Sequence, residues 1–320
     1  MKVTIGIPVY NMKEHLRECL DSVLMQSYSN LEILCVDNNS TDGSASILAD
    51  YMHKDPRVRV IPCKEQGLQF VRQTIIKEAR GTYLIYVDSD DVVEKDYILN
   101  LYNIMQQHDV NVAVSMQRQF KPPYDRTTCS DDQAENYWSL WCKGLLFQQF
   151  NKLLSKDDIL DNLNYFPWGP MSKMYKLSDM IKYQININKQ VSLGEDLLFW
   201  LEYLLIVPEV KVYLINNIDY LYRKGVDNAL TSTSVKEEDT LLMYSLYKIC
   251  LKYKEQNISF LYKLIRLWNV ESFDKFINMY KNSNRIKRYI SLTIRISRTY
   301  KAIKLIKDSR KTLVDTSSEN

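Results

Sequence analysis

Tyr83-Leu84-Ile85-Tyr86-Val87-Asp88-Ser89-Asp90-Asp91 decides the fold of this chain. An apolar run ends abruptly in three carboxylates within four residues. Such a run reads as a strand buried on both faces, the habit of parallel sheets. In open α/β sheets ligands gather beyond the carboxyl ends of the strands, so the acids lie where a site would form. Two readings of them stand at this point. Oxygen-rich clusters suit Mg²⁺ or Mn²⁺, which take few protein carboxylates and share the rest of their coordination with substrate phosphates. Alternatively, Asp90 or Asp91 caps the helix that follows.

Outward from this stretch, strand and helix patterns alternate through the first 120 residues. Strands are expected at Lys2–Pro8, Leu31–Asp37, Val58–Pro62, Thr82–Asp88 and Val110–Met116. Between them run helical spacings over Glu14–Gln26, Thr41–His53, Leu68–Ala79 and Tyr97–Gln107. Short connections and this alternation predict a mainly parallel sheet with helices on both faces. Leu31–Asp37 and Thr82–Asp88 each end in Asp, so both acids leave one sheet edge. From about 121 to 190 the pattern loosens after Lys121-Pro122-Pro123 into a stretch rich in Trp and Phe. Gly194-Glu195-Asp196 opens an apolar helix to about Ile206, and Val210–Ile215 and Tyr220–Arg223 read as two short strands. Residues 236–255, 259–280 and 285–308 read as helices.

Composition excludes several classes. With 46% hydrophobic and 25% charged residues among 320, the chain can bury a large core. Its six cysteines are scattered without a Cys-x-x-Cys pair, which fits reduced thiols better than a disulfide frame or zinc site. No run approaches a spanning helix, and the N-terminus enters a strand at once. A cytoplasmic protein without a signal peptide is therefore expected. The net charge of +3 conceals an asymmetry: residues 281–311 hold eleven Lys/Arg and one acid, leaving 31 basic against 38 acidic residues elsewhere. Apolar residues recur with helical spacing through 285–311, so this basic amphipathic segment reads either as an anionic-membrane binder at the inner face of the cell membrane or as a packing helix with a solvated basic face. Nucleic acid is not expected as a partner, because no nucleic-acid motif is present.

Several blocks occur in one order: Ile7-Pro8-Val9-Tyr10-Asn11; Val36-Asp37-Asn38-Asn39-Ser40-Thr41-Asp42-Gly43-Ser44; Arg72 with Ala79-Arg80-Gly81; Asp88-Ser89-Asp90-Asp91; Trp168 with Lys173-Met174-Tyr175; and Gly194-Glu195-Asp196. In this order and spacing, over roughly residues 1–225, the chain resembles the family-2 glycosyltransferases. The resemblance implies a GT-A fold, a Rossmann-like α/β sheet, with a nucleotide-diphospho-sugar donor, Mn²⁺ or Mg²⁺ and inversion at the anomeric carbon. It also implies a catalytic domain over 1–230, divided into a nucleotide-sugar half (1–120) and an acceptor half (121–230), with a C-terminal helical region over 235–320.

The resemblance assigns roles residue by residue. Pro8, Tyr10, Asp37, Arg72, Asp88, Ser89 and Arg223 are expected on the nucleotide-sugar. Asp37 would accept the imide N–H of uracil, although an Asp opening Asp-Asn-Asn-Ser also suits a turn bonded to its own backbone. Asp90, with Asp88, would hold the metal, and Asp91 would cap a helix. Inversion needs one base on the face opposite the leaving diphosphate. Adjacent helical residues project about 100° apart; the stripe Leu197, Leu201, Leu204 flanks Asp196 and lies opposite Glu195, so Asp196 is the expected base and Glu195 a supporting or acceptor-binding acid, the alternative being two acids that complement a helix N-terminus. Trp168, Lys173 and Tyr175 are expected on the acceptor side. The expected activity is transfer of a hexose or N-acetylhexosamine from a UDP-sugar to a glycan or lipid-linked glycan acceptor, in synthesis of capsule, lipopolysaccharide or a similar surface polysaccharide. The competing readings are a sugar nucleotidyltransferase, against which only Gly6 lies near the first strand's end, and an inactive GT-A scaffold.

Overall fold

The computed structural model describes residues 1–120, 151–161, 169–185 and 195–224. Trp168, Gly194, the expected helices beyond 235 and the basic segment 285–311 lie outside the described residues.

The sheet grows from its first strand. In β1 (Val3–Val9) all seven residues are buried. It pairs in parallel with β2 (Leu31–Asp37) on one side and β4 (Tyr83–Tyr86) on the other, and β3 (Val58–Pro62) adds in parallel outside β2. Parallel neighbours require crossovers, supplied by α1 (Leu16–Leu24), α2 (Ser44–Lys54) and α3 (Leu68–Glu78). The two faces of β1 are used differently. Val3, Ile5, Ile7 and Val9 share one core with Leu16 and Leu20 of α1, Leu48 of α2 and Leu101 of α4 (Tyr97–Gln107). Burial of each such aliphatic side chain contributes about 1.5–3 kcal/mol. On the opposite face, a Cβ at Gly6 would run into Ile75 Cγ2, so glycine lets α3 lie close on the sheet.

The second half of the sheet departs from the parallel pattern. Strand β8 (Lys173–Lys176) is antiparallel to both β4 and β6 (Val112–Phe120), while β6 is parallel to β9 (Lys211–Arg223). Two short strands, β5 (Val92–Val93) and β7 (Lys152–Ser155), pair antiparallel with β9. The order is β3-β2-β1-β4-β8-β6-β9-β5, with β7 also on β9. Helices α5 (Lys156–Asp161), α6 (Leu177–Lys182) and α7 (Glu195–Ile206) complete the described elements. The two strands expected at 210–215 and 220–223 are one. Asn216 and Asn217 interrupt the apolar pattern, but the backbone keeps pairing with β6 across register shifts at Val114–Gln117. The mixed sheet flanked by helices is a GT-A-like α/β fold. Among the described residues, no helix is long and apolar enough to cross a membrane.

Candidate active site

Because β1 separates β2 and β4 and all three run in parallel, the loops after each strand meet at one edge. Pro8 is buried within β1 opposite Val36, and Val9 lies opposite Asp37. Tyr10 follows, 47% exposed. Its loop is braced against the loop after β2: Asn11, at φ 52°, donates its N–H to Ser40 Oγ (3.0 Å) and accepts from Thr41 N–H through Oδ1 (2.8 Å). Asp42 accepts from the N–H groups of Lys13 (2.8 Å) and Ser44 (2.9 Å), so its carboxylate braces the turn that leads into α2. A braced loop presents Tyr10 at low ordering cost.

Asp37 accepts the Ser40 N–H at 3.3 Å, and its carboxylate remains partly exposed. Asn38, by contrast, is buried. Its Nδ2 donates to the carbonyls of Cys63 (3.2 Å) and Glu65 (2.7 Å), and its Oδ1 accepts the Gly67 N–H (2.8 Å). This side chain fixes the loop from which α3 starts. Gly67, at φ 128°, turns the chain into that helix where an L side chain would be strained.

One turn into α3, Arg72 is almost wholly buried. Its Nη1 donates to Glu195 Oε1 at 3.0 Å and to Asp196 Oδ1, and its Nη2 lies 3.6 Å from Asp88 Oδ1. Residues from three distant parts of the chain, at 72, 88 and 195–196, thereby meet around one guanidinium. The rigid fork of arginine suits several carboxylates at once. The expectation that Glu195 lies opposite the buried stripe of α7 is corrected here. Leu197 through Leu201, with Tyr203 and Leu204, are all buried, so the helix has no broad exposed face. The Glu195 side chain is 7% exposed and that of Asp196 28%. Asp196 is the acid that reaches outward.

One cation among three carboxylates cannot neutralise them all. Burial pushes Glu195 up to about 8, with nearby Asp196 adding to the shift and Arg72 opposing it. Burial likewise pushes Asp88 up to about 7, against Arg72 and with help from Asp90. A carboxyl that keeps its proton in the fold but loses it when unfolded makes stability fall as pH rises between the two values. Glu195→Gln is expected to flatten that slope: its Tm should change less than the wild-type Tm between the ordinary carboxyl range and pH about 8, which differential scanning calorimetry across pH would test.

Lys173 and Tyr175, expected on the acceptor side, are both wholly buried on β8. Lys173 Nζ donates to the Gly169 carbonyl and lies 5.3 Å from the Trp200 ring centroid. Burial lowers its pKa to about 7, opposed by Asp196. Tyr175 packs edge-on against Phe199, Trp200 and Tyr203. The two residues expected on the acceptor side are thus enclosed in the core rather than set on an open face.

In the acidic turn, Ser89 and Asp91 are buried while Asp88 and Asp90 remain partly exposed. Asp91 does not cap a helix: α4 begins at Tyr97, and the Asp91 carboxylate instead accepts from Tyr220 and Arg223. Arg223, expected on the diphosphate, donates through Nε to the Asp90 carbonyl at 2.6 Å. Among the described residues, no group of three or more His, Cys, Asp or Glu side chains is arranged to hold a metal ion. Asp88 and Asp90 are nevertheless the donor type that Mg²⁺ or Mn²⁺ takes when it shares its coordination with substrate phosphates; Asp90 is partly exposed, while Asp88 Oδ1 is enclosed, makes no hydrogen bond and faces Arg72 Nη2 at 3.6 Å. The sequence reading missed Asn38 and Tyr220. Asn38 was hidden in a turn-like Asp-Asn-Asn-Ser, and Tyr220 stands in a strand with no motif around it.

Residues 4–160 match the family model described as glycosyl transferase family 2. The glycosyltransferase GlyA of Streptococcus pneumoniae is 39% identical over 113 residues, 35% of this chain and 16% of that protein. EpsJ of Bacillus subtilis, named as a glycosyltransferase, is 29% identical over 73% of this chain and 64% of its own length. The poly(ribitol-phosphate) beta-glucosyltransferase of Bacillus spizizenii is 28% identical over 69% of this chain and 32% of its own length. The chain thus spans less than two thirds of each of these relatives. Among solved structures, S. aureus TarS in complex with UDP-GlcNAc superposes with a TM-score of 0.66 at 19% identity, covering 88% of this chain and 80% of that one. With the fold, the ordered motifs and the family match in agreement, residues 4–160 belong to a glycosyl transferase family 2 domain.

Proposed function

We propose that this protein transfers a hexose or N-acetylhexosamine from a UDP-sugar to a hydroxyl of a glycan acceptor in cell-surface polysaccharide synthesis, by direct displacement with inversion. The observation that carries this reading is the Arg72 junction, which brings Asp88 of the donor-side turn against Glu195 and Asp196 of α7. One charge cluster thereby joins a group suited to a diphosphate with a group suited to a proton. The named activity of the beta-glucosyltransferase relative and the UDP-GlcNAc bound by TarS support the donor class.

In this reading the uracil ring leans on Tyr10 and its imide N–H donates to Asp37. Asp88 and Asp90 would hold the divalent cation, and Asp88 would also meet the ribose. The cation supplies charge stabilisation to the departing diphosphate, worth several kcal/mol in such sites. Asp196 removes the acceptor hydroxyl proton as that oxygen attacks the anomeric carbon from the face opposite the diphosphate. A new C–O bond forms, the C–O bond to phosphate breaks, and UDP departs. Glu195, largely enclosed, fixes Arg72 and through it Asp196. Lys173, Tyr175 and Trp168 form the acceptor half, the first two as the packed wall that positions α7. Arg223 holds the acidic turn beneath the diphosphate. A lipid-linked acceptor suits the basic segment 285–311, whose eleven cations with Lys281 included would be drawn to an anionic inner membrane face.

Nucleoside diphosphate release from a panel of UDP-, GDP- and TDP-sugars, with Mn²⁺ or Mg²⁺ and simple or lipid-linked glycoside acceptors, tests this function. Turnover of a UDP-sugar that chelation stops and Asp90→Ala abolishes is the expected result. Release of pyrophosphate from a nucleoside triphosphate and a sugar phosphate would instead identify a nucleotidyltransferase.

A further inference from the structure

The acidic turn is held from behind by the end of β9. The Tyr220 hydroxyl, wholly buried, donates to Asp91 Oδ2 at 2.7 Å and accepts the Asp88 backbone N–H at 3.1 Å. The other Asp91 oxygen, Oδ1, accepts the Arg223 backbone N–H at 2.7 Å. Arg223 Nε donates to the Asp90 carbonyl at 2.6 Å, and the Asp91 N–H closes the turn onto the Asp88 carbonyl at 3.0 Å. Arg223 is itself pinned: Nη2 reaches Glu18 Oε2 on α1 at 2.5 Å, and the guanidinium carbon lies 4.6 Å from the Phe120 ring centroid. Pairing of Val92 and Val93 with Leu221 and Tyr220 extends the same attachment.

A buried carboxylate is tolerated only when its oxygens are bonded. Asp91 meets that condition through Tyr220 and Arg223, so its carboxyl group is turned inward while Asp88 and Asp90 keep exposed surface. Three of the four turn residues, Asp88, Asp90 and Asp91, are tied to partners between 129 and 133 positions later in the chain. Side chains that bind a cation and a diphosphate lose least entropy when their backbone is already fixed.

We infer that Tyr220 is a positioning residue for cation binding: its hydroxyl locks the Asp88 backbone to the Asp91 carboxylate and thereby presents Asp88 and Asp90 as a preset pair. The inference rests on the transferase reading above. Substitution Tyr220→Phe removes one oxygen and leaves the ring against Tyr97, at a centroid separation of 5.9 Å. Calorimetry of UDP alone, and then of Mn²⁺ titrated into the UDP-loaded protein, separates the two binding events. In Tyr220→Phe, UDP affinity should stay within about twofold and Mn²⁺ affinity should fall roughly 10–100-fold, the range for lost outer-shell partners. A variant that melts earlier but binds Mn²⁺ as wild type does would overturn the inference, leaving Tyr220 a core residue only. Should Tyr220→Phe fail to fold, Glu18→Ala serves, since that side chain is half exposed and its removal releases Arg223 from α1. A roughly threefold weaker Mn²⁺ affinity supports the latch, and an unchanged one overturns it. A wild-type protein that binds neither UDP nor Mn²⁺ with UDP would sink the transferase reading, a failure distinct from equal binding by wild type and variant.

Discussion

Asp196→Asn is expected to lower kcat for sugar transfer by about 10²–10⁴-fold, the usual contribution of a positioned general base, while UDP-sugar affinity stays within about threefold. The amide keeps the shape of the carboxylate and can still accept from Arg72 Nη1, so α7 should hold its place. It cannot take a proton. Asp196 is favoured over its neighbour because its side chain is 28% exposed and that of Glu195 is 7%; an acceptor hydroxyl needs access to the base. If Asp196 only complemented the positive end of α7, its removal would cost less than about 1 kcal/mol of stability and little rate. Steady-state UDP release, paired with direct UDP binding, separates these cases.

The second large effect is on stability. Arg72→Met is expected to destabilise the protein by about 3–5 kcal/mol, the cost of leaving buried charges without their partner. The methionine fills the space but offers nothing to Glu195, Asp196 or Asp88. Those acids can escape the penalty by keeping protons, as Glu195 and Asp88 already tend to do. The loss should therefore be smallest at acidic pH and grow as pH rises, because the folded state then binds more protons than the unfolded one. Arg72→Lys should rescue only in part, since one ammonium cannot span contacts made by both Nη1 and Nη2. Thermal unfolding at several pH values would show the trend; a pH-independent loss would argue that Arg72 acts through packing alone.

The parallel half of the fold was legible because its strands are buried on both faces and read as unbroken apolar runs, β1 and β2 above all. The acids after β2 and β4 could be placed at one edge for the same reason. The antiparallel half was not legible in the same way. Strand β8 is four residues of mixed character, Lys-Met-Tyr-Lys, and takes its place from the strands on either side. In β9, polar Asn216 and Asn217 broke a pattern that the backbone does not break. Arg72 was read as a nucleotide contact, whereas it is buried against Asp88, Glu195 and Asp196; its bond to Asp196, 124 positions away, depends on tertiary packing that no local pattern encodes. Glu195 shows the limit of wheel arguments: they locate a buried stripe but fail on a helix enclosed nearly all round. Asp91 looked like a cap because Asp near a helix start usually is one, whereas its partners lie in β9.

A single base acting opposite the leaving group has one stereochemical consequence. Proton NMR of the product formed from an α-linked UDP-sugar, read at the anomeric resonance as the reaction runs, tests the account most directly. It predicts a β-linked sugar on the acceptor from the first turnover. An α-linked product would mean retention, and with it a mechanism in which Asp196 is not the sole base and the Arg72 junction does not serve direct displacement.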